Sequence, residues 1–177
     1  MSQEILELVN RNALLLDTIA QKRKNESRNP NIHFIHSVVC FAVTEKDVTL
    51  AREKVRDHFS MSEPLLHNEA ISPNLFLQCC RVGTILKVAI VNDPIKFEIY
   101  LENFKPELIV VEPGNFTKTT EHMNIASRIV HASRKLEYIP KIAINCSDPA
   151  AMNYYNKLLT KKSLRGHKKS RLIWTKK

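Results

Sequence analysis

Apolar residues in this chain fall into short dense runs, and amphipathic stretches alternate with them. Lys87-Val88-Ala89-Ile90-Val91 and Leu108-Ile109-Val110-Val111 are rich in β-branched side chains. Runs of that kind suit strands covered on both faces, as in a parallel sheet. Asp93-Pro94 follows the first run: Asp accepts orphan backbone N–H groups as an N-cap, and Pro is preset for the first helical position. Ile95, Ile99, Leu101 and Phe104 then share one helical face. Lys105-Pro106 stops the helix, because a residue before Pro avoids the α region. Leu86 to Pro113 therefore reads as a right-handed strand–helix–strand unit around which the sheet is expected to form.

The flanking sequence extends the pattern. Ser2 to Gln21 predicts a helix with Leu6, Val9, Ala13, Leu16 and Ala20 at spacings of three and four. Such a stripe suits either packing on the domain or binding of a protein partner, including self-association. Lys22 to Asn31 is polar and breaker-rich and reads as a linker. Ile32 to Thr44 predicts a strand, and Thr44 caps a helix from Glu45 to Phe59. Ser60 to Pro73 reads as a loop, Leu75 to Val82 as a strand, and Gly83 as a turn. Gly114 to Glu121 is a polar loop before a helix over His122 to Leu136. Ile139 to Asn145 is a short strand. Asp148-Pro149 repeats the cap-plus-Pro signal ahead of a helix to Leu159, and Leu172-Ile173-Trp174 is a final edge strand. From Ile32 the order is β α β β α β α β α β. It predicts a three-layer α/β fold with a largely parallel sheet and flanking helices, preceded by an N-terminal helix.

At 177 residues the chain suits one α/β domain over 32–160, with a helix and linker over 1–31 and a basic segment over 161–177. Three glycines, with no GxGxxG or GxxxxGK[ST], argue against a glycine-rich phosphate loop. Cys40, Cys79, Cys80 and Cys146 lie in or beside apolar runs without metal-ligand spacing, which suits reduced thiols of an intracellular protein, nuclear or cytoplasmic. No secretory leader is apparent, and no apolar run approaches the roughly 20 residues that span a bilayer, so no membrane association is expected.

Ligands of open α/β sheets gather beyond the carboxyl ends of the strands. Three carboxylates are expected there: Asp93, Glu112 and Asp148. Capping explains Asp93 and Asp148. Glu112 ends an apolar run and precedes Pro113, so it is the candidate with chemistry to spare. His33 and His36 are one residue out of step for sharing a strand face. Tyr154 and Lys157 share a helical face, as a half-buried helix also requires.

Strand, strand, helix, strand, helix, strand, helix from Leu75 resembles the RNase H-like fold. The run NFKPELIVVEPGNF is similar to the strand of RuvC-type Holliday-junction resolvases that carries a catalytic glutamate, here Glu112. The resemblance implies a Mg²⁺-dependent nuclease with Glu112 catalytic, and Asp93 and Asp148, expected at the same sheet edge, are then the further metal candidates. That superfamily also carries an Asp in its first strand, and Ile32 to Val43 has none. The departure implies instead a binding relative without a cofactor, as in the connector domains of mismatch-repair proteins. ELIVVEP, a helix, IPKIAIN and SDPAAMNYYNKL also resemble the C-terminal half of Gcn5-related acetyltransferases, although Asn115 to Glu121 lacks the glycine-rich loop by which those enzymes hold acetyl-CoA.

The net charge of +9 is concentrated at one end. Lys161, Lys162, Arg165, Lys168, Lys169, Arg171, Lys176 and Lys177 occur without an acidic residue, whereas the remaining 19 basic residues nearly balance 18 acidic ones. Clustered cations displace counterions from a phosphate backbone, and Trp174 offers a ring for stacking on a base. The expectation is a nucleic-acid-associated, non-catalytic α/β subunit of a larger complex.

Overall fold

The computed structural model describes residues 3–26, 34–59, 68–72, 74–81, 83–112, 119–136, 140–159 and 171–175. The helices are α1 (Gln3–Glu26), α2 (Glu45–His58), α3 (Pro94–Phe104), α4 (Thr119–Ser133) and α5 (Pro149–Leu159). The strands are β1 (Phe34–Ala42), β2 (Asn68–Ser72), β3 (Leu75–Arg81), β4 (Thr84–Val91), β5 (Leu108–Glu112), β6 (Lys141–Asn145) and β7 (Arg171–Thr175). They form one seven-stranded sheet in the order β2-β3-β4-β1-β5-β6-β7. The strands β4, β1, β5, β6 and β7 are mutually parallel, and the antiparallel pairings of β2 and β3 extend one edge. The α/β class, the largely parallel sheet and the leading helix are those read from the hydrophobic pattern.

The expected strand–helix–strand unit from Leu86 to Pro113 is present as β4, α3 and β5. β4 and β5 do not pair with each other: β1 lies between them, parallel to both. The crossover through α3 passes over β1. This is the doubly wound order, in which the chain leaves β1 first to one side of the sheet and then to the other. Right-handed crossovers in opposite directions put their helices on opposite faces. Accordingly α2 packs with Val38, Cys40, Ala42, Val88 and Val110. The helices α1, α3, α4 and α5 pack with Val39, Phe41, Val91, Ile109 and Ile144 on the other face. Successive β1 residues thus enter different cores, which is why the run reads as continuously apolar.

The N-terminal helix is docked. Val9, Ala13, Leu16 and Ala20 are buried, and α1 contacts α3, β3 and β4. Lys87, in the middle of a buried strand, is compensated by an ion pair with Asp17 of α1 and by the Phe104 ring, 5.1 Å from its ammonium. Leu8, Leu14 and Leu15 face outward.

Two boundaries differ from expectation. α1 continues to Glu26, so Lys22–Glu26 belong to the helix and not to a linker; residues 27–33 lie outside the described ones. β2 occupies part of the expected loop from Ser60 to Pro73. Its sequence NEAIS is a short edge strand with little apolar content and so carries no periodic signal. β7 (Arg171–Thr175) is the final edge strand expected at Leu172-Ile173-Trp174. The stop at Lys105-Pro106 is borne out: Lys105 takes the left-handed conformation (φ 47°) as C-cap and donates its N–H to Leu101.

Leu16 is fully enclosed by the face that α1 completes. Leu16→Ala is expected to cost about 2–5 kcal/mol, measured by urea unfolding, the range for cavities left by buried Leu. A cost under about 1 kcal/mol would mean that α1 is not part of the cooperative unit.

Candidate functional site at the carboxyl edge of the sheet

Parallel strands bring their carboxyl ends to one edge. There β1 ends at Ala42, opposite Glu112 of β5, and β6 ends beside it at Asn145. Glu112 is completely buried. The Lys54 ammonium of α2 lies against its Oε1, and Asn145 Nδ2 donates to Oε2 at 2.8 Å. Local chemistry aims α2. Thr44 accepts from the Asp47 N–H at 3.1 Å, and Asp47 accepts from the Thr44 N–H at 3.3 Å, a reciprocal capping box. With its start fixed, the helix lays Ala51 and Val55 on the sheet and carries Lys54 over β5. Burial draws the Lys54 ammonium down to about 8. It equally raises the Cys40 thiol of β1 far above its ordinary range.

The other two carboxylates are caps. Asp93 accepts from the Ile95 N–H at 2.8 Å, and Asp148 from the Ala150 N–H at 3.2 Å. Asp93 follows β4, on the far side of β1 from Glu112. Among the described residues, the group with metal-ligand proximity is Glu98, Glu102 and His131 on α3 and α4, not Asp93, Glu112 and Asp148. Arg128 pairs with Glu98 at 2.9 Å and Lys135 with Glu102 at 2.7 Å, so that group reads as an interhelical charge network. Glu112 therefore meets an ammonium and an amide where a divalent cation would need a second carboxylate. The arrangement holds a neutralised buried charge pair.

Between α1 and α3, at the end of β4, is a cavity of about 130 Å³ lined in part by Asn12, Asn74, Asn92, Lys96 and Tyr100. The remaining sequence candidates sit elsewhere. Lys161, Lys162, Arg165, Lys168 and Lys169 lie outside the described residues. Arg171 and Trp174 are in β7, with Arg171 in register with Lys141 and Trp174 with Ile144. Lys141 and Arg171 open their strands, so both are at the opposite, amino edge. His33 is outside the described residues. His36 is also near that edge, with Nδ1 2.6 Å from Glu107. The Tyr154 hydroxyl is 3.5 Å from Ser127 Oγ, and Lys157 is exposed.

Two sets of residues escaped sequence reasoning. Lys54 lies three residues after buried Ala51, a spacing that places it on the inner side of α2. Asn145 ends a strand just as Glu112 does. The second set is Cys146, which follows β6, with His122 from the first turn of α4 and Tyr155 from α5. All three are buried, and their separation in sequence hides them.

The chain matches no protein-family model and no curated protein. Among the described residues no helix is long and apolar enough to cross a membrane.

The Lys54–Glu112 contact predicts a titration. The Lys54 side chain, followed by carbon NMR, is expected to titrate near 8 instead of the ordinary 10.5. In Glu112→Gln, with the neighbouring negative charge removed, the charged amine loses support and the midpoint moves lower still. Glu112→Ala is expected to destabilise by about 3 kcal/mol in urea unfolding, because it strands a partly buried ammonium. Adding Lys54→Met should recover part of that loss.

Proposed function

We propose that this chain is a non-catalytic, nucleic-acid-associated α/β subunit of a larger complex, and that its cationic segment 161–177 makes the contact. The observation that carries the reading is charge polarity: eight basic residues and no acidic one after Thr160, on a body that is nearly neutral. A cluster of that density competes with the counterions of a phosphate backbone. Five of the cations fall between α5 and β7 in the sequence. Lys141, in register with Arg171, adds a cation at the same edge. The non-catalytic part of the reading rests on Glu112, whose charge is already matched by Lys54. The outward Leu8, Leu14 and Leu15 of α1 supply apolar surface for a protein partner.

The test is fluorescence anisotropy with single- and double-stranded DNA and RNA. Because β7 belongs to the sheet, the variant neutralises Lys161, Lys162, Arg165, Lys168 and Lys169 to Gln and leaves residues 171–177 in place. The expected result is at least about a tenfold loss of affinity and a shallower dependence of log K on log salt, by about 0.7–0.9 for each phosphate no longer neutralised. Unchanged binding overturns the contact. Cleavage of branched or hybrid substrates with Mg²⁺ or Mn²⁺, abolished in Glu112→Gln, overturns the non-catalytic reading.

A further inference from the structure

The buried set Cys146–His122–Tyr155 is a second polar cluster, next to the first in sequence, since Cys146 directly follows the Asn145 that donates to Glu112. Cys146 Sγ is 3.8 Å from His122 Nε2, within the reach of a sulfur hydrogen bond, and 3.7 Å from the Asp148 carbonyl oxygen. On the far side of the ring, His122 Nδ1 is 3.0 Å from the Tyr155 hydroxyl. The ring also meets the Tyr155 ring edge-on, with centroids 5.6 Å apart. One nitrogen faces the sulfur while the other is fixed by a third group, which is the general arrangement of an activated nucleophile.

From this geometry we infer that Cys146 is a reactive thiol site, activated by His122, whose co-reactant is a small peroxide. Burial decides the class of electrophile. Cys146 is 6% exposed and His122 5%, an opening too small for a peptide or acyl chain, which restricts the electrophile to one of the size of hydrogen peroxide. In the tautomer that serves the reaction, Nδ1–H donates to the Tyr155 oxygen and the Nε2 lone pair takes the thiol proton. The thiolate attacks one peroxide oxygen. The S–O bond forms, the O–O bond breaks, and the departing hydroxide takes the proton from Nε2 and leaves as water. Sulfur is oxidised by two electrons to a sulfenic acid, and the peroxide is reduced. The Asp148 carbonyl, already within reach of Sγ, accepts the new S–O–H.

Cys40 serves as the internal control. It is a fully buried thiol on β1, and burial holds it protonated. The full chain is treated with hydrogen peroxide at neutral pH and the reaction is stopped with catalase. The chain is then unfolded in dimedone, and the Cys146 and Cys40 peptides are quantified by mass spectrometry. Labelling at Cys146 is expected to proceed at least about tenfold faster than at Cys40, and to slow at least about fivefold in His122→Gln of native circular dichroism. Equal rates at the two cysteines overturn the inference. So does an unchanged Cys146 rate in the folded His122→Gln chain. Should that variant fail to fold, the ratio within the unaltered chain decides.

Discussion

The parallel pairing of β1 on both of its sides is the constraint on which the fold depends. A strand in that position gives up its N–H and C=O groups to two neighbours and its side chains to two cores, so it has no surface left for water. The half from Val38 to Ala42, where β1 is paired on both sides, meets this demand with Val38, Cys40 and Ala42 toward α2, and Val39 and Phe41 toward α3. Each later element takes its place relative to that strand. α2 leaves over one face, α3 passes over the other to reach β5, and the divergence leaves the carboxyl end of β5 under α2. That is why Lys54 meets Glu112.

The two buried polar arrangements follow different physical logics. Lys54 and Glu112 are opposite charges withdrawn from water together, with Asn145 supplying a donor to the second carboxylate oxygen. Such a pair adds little net stability but penalises loss of either member and so fixes the seating of α2. Cys146, His122 and Tyr155 are instead linked by close contacts between groups that can each hold or release a proton. Burial that would be costly for an isolated ion is tolerable for a set that can keep its charges paired.

Much of this was legible in the sequence, and the boundary of legibility is physical. Asp93 and Asp148 were readable as caps because capping is decided within a few residues. The stop at Lys105 and the face of α1 are equally local. The insertion of β1 between β4 and β5 was not readable, because doubly buried strands share one composition and do not encode which neighbour each pairs with. β2 was not readable because NEAIS has too little apolar content to show a period. The partners of Glu112 were hidden by distance along the chain: periodicity puts Lys54 on the inner side of α2 but does not name the strand beneath it. His122 and Cys146 meet only because α4 and α5 pack together on one face of the sheet.

The position of β1 has a consequence for how the chain comes into being. It is the first strand to be synthesised, yet its neighbours β4 and β5 come after α2 and the whole β2–β3 hairpin. Until they emerge, an apolar nine-residue segment with two open hydrogen-bonding edges has no native partner. Non-local parallel pairing is intrinsically slow, and unpaired strands of this kind recruit one another. Such a segment is a natural point of engagement for chaperones during synthesis. The long amphipathic α1, complete before β1 appears, is the element then available to cover it.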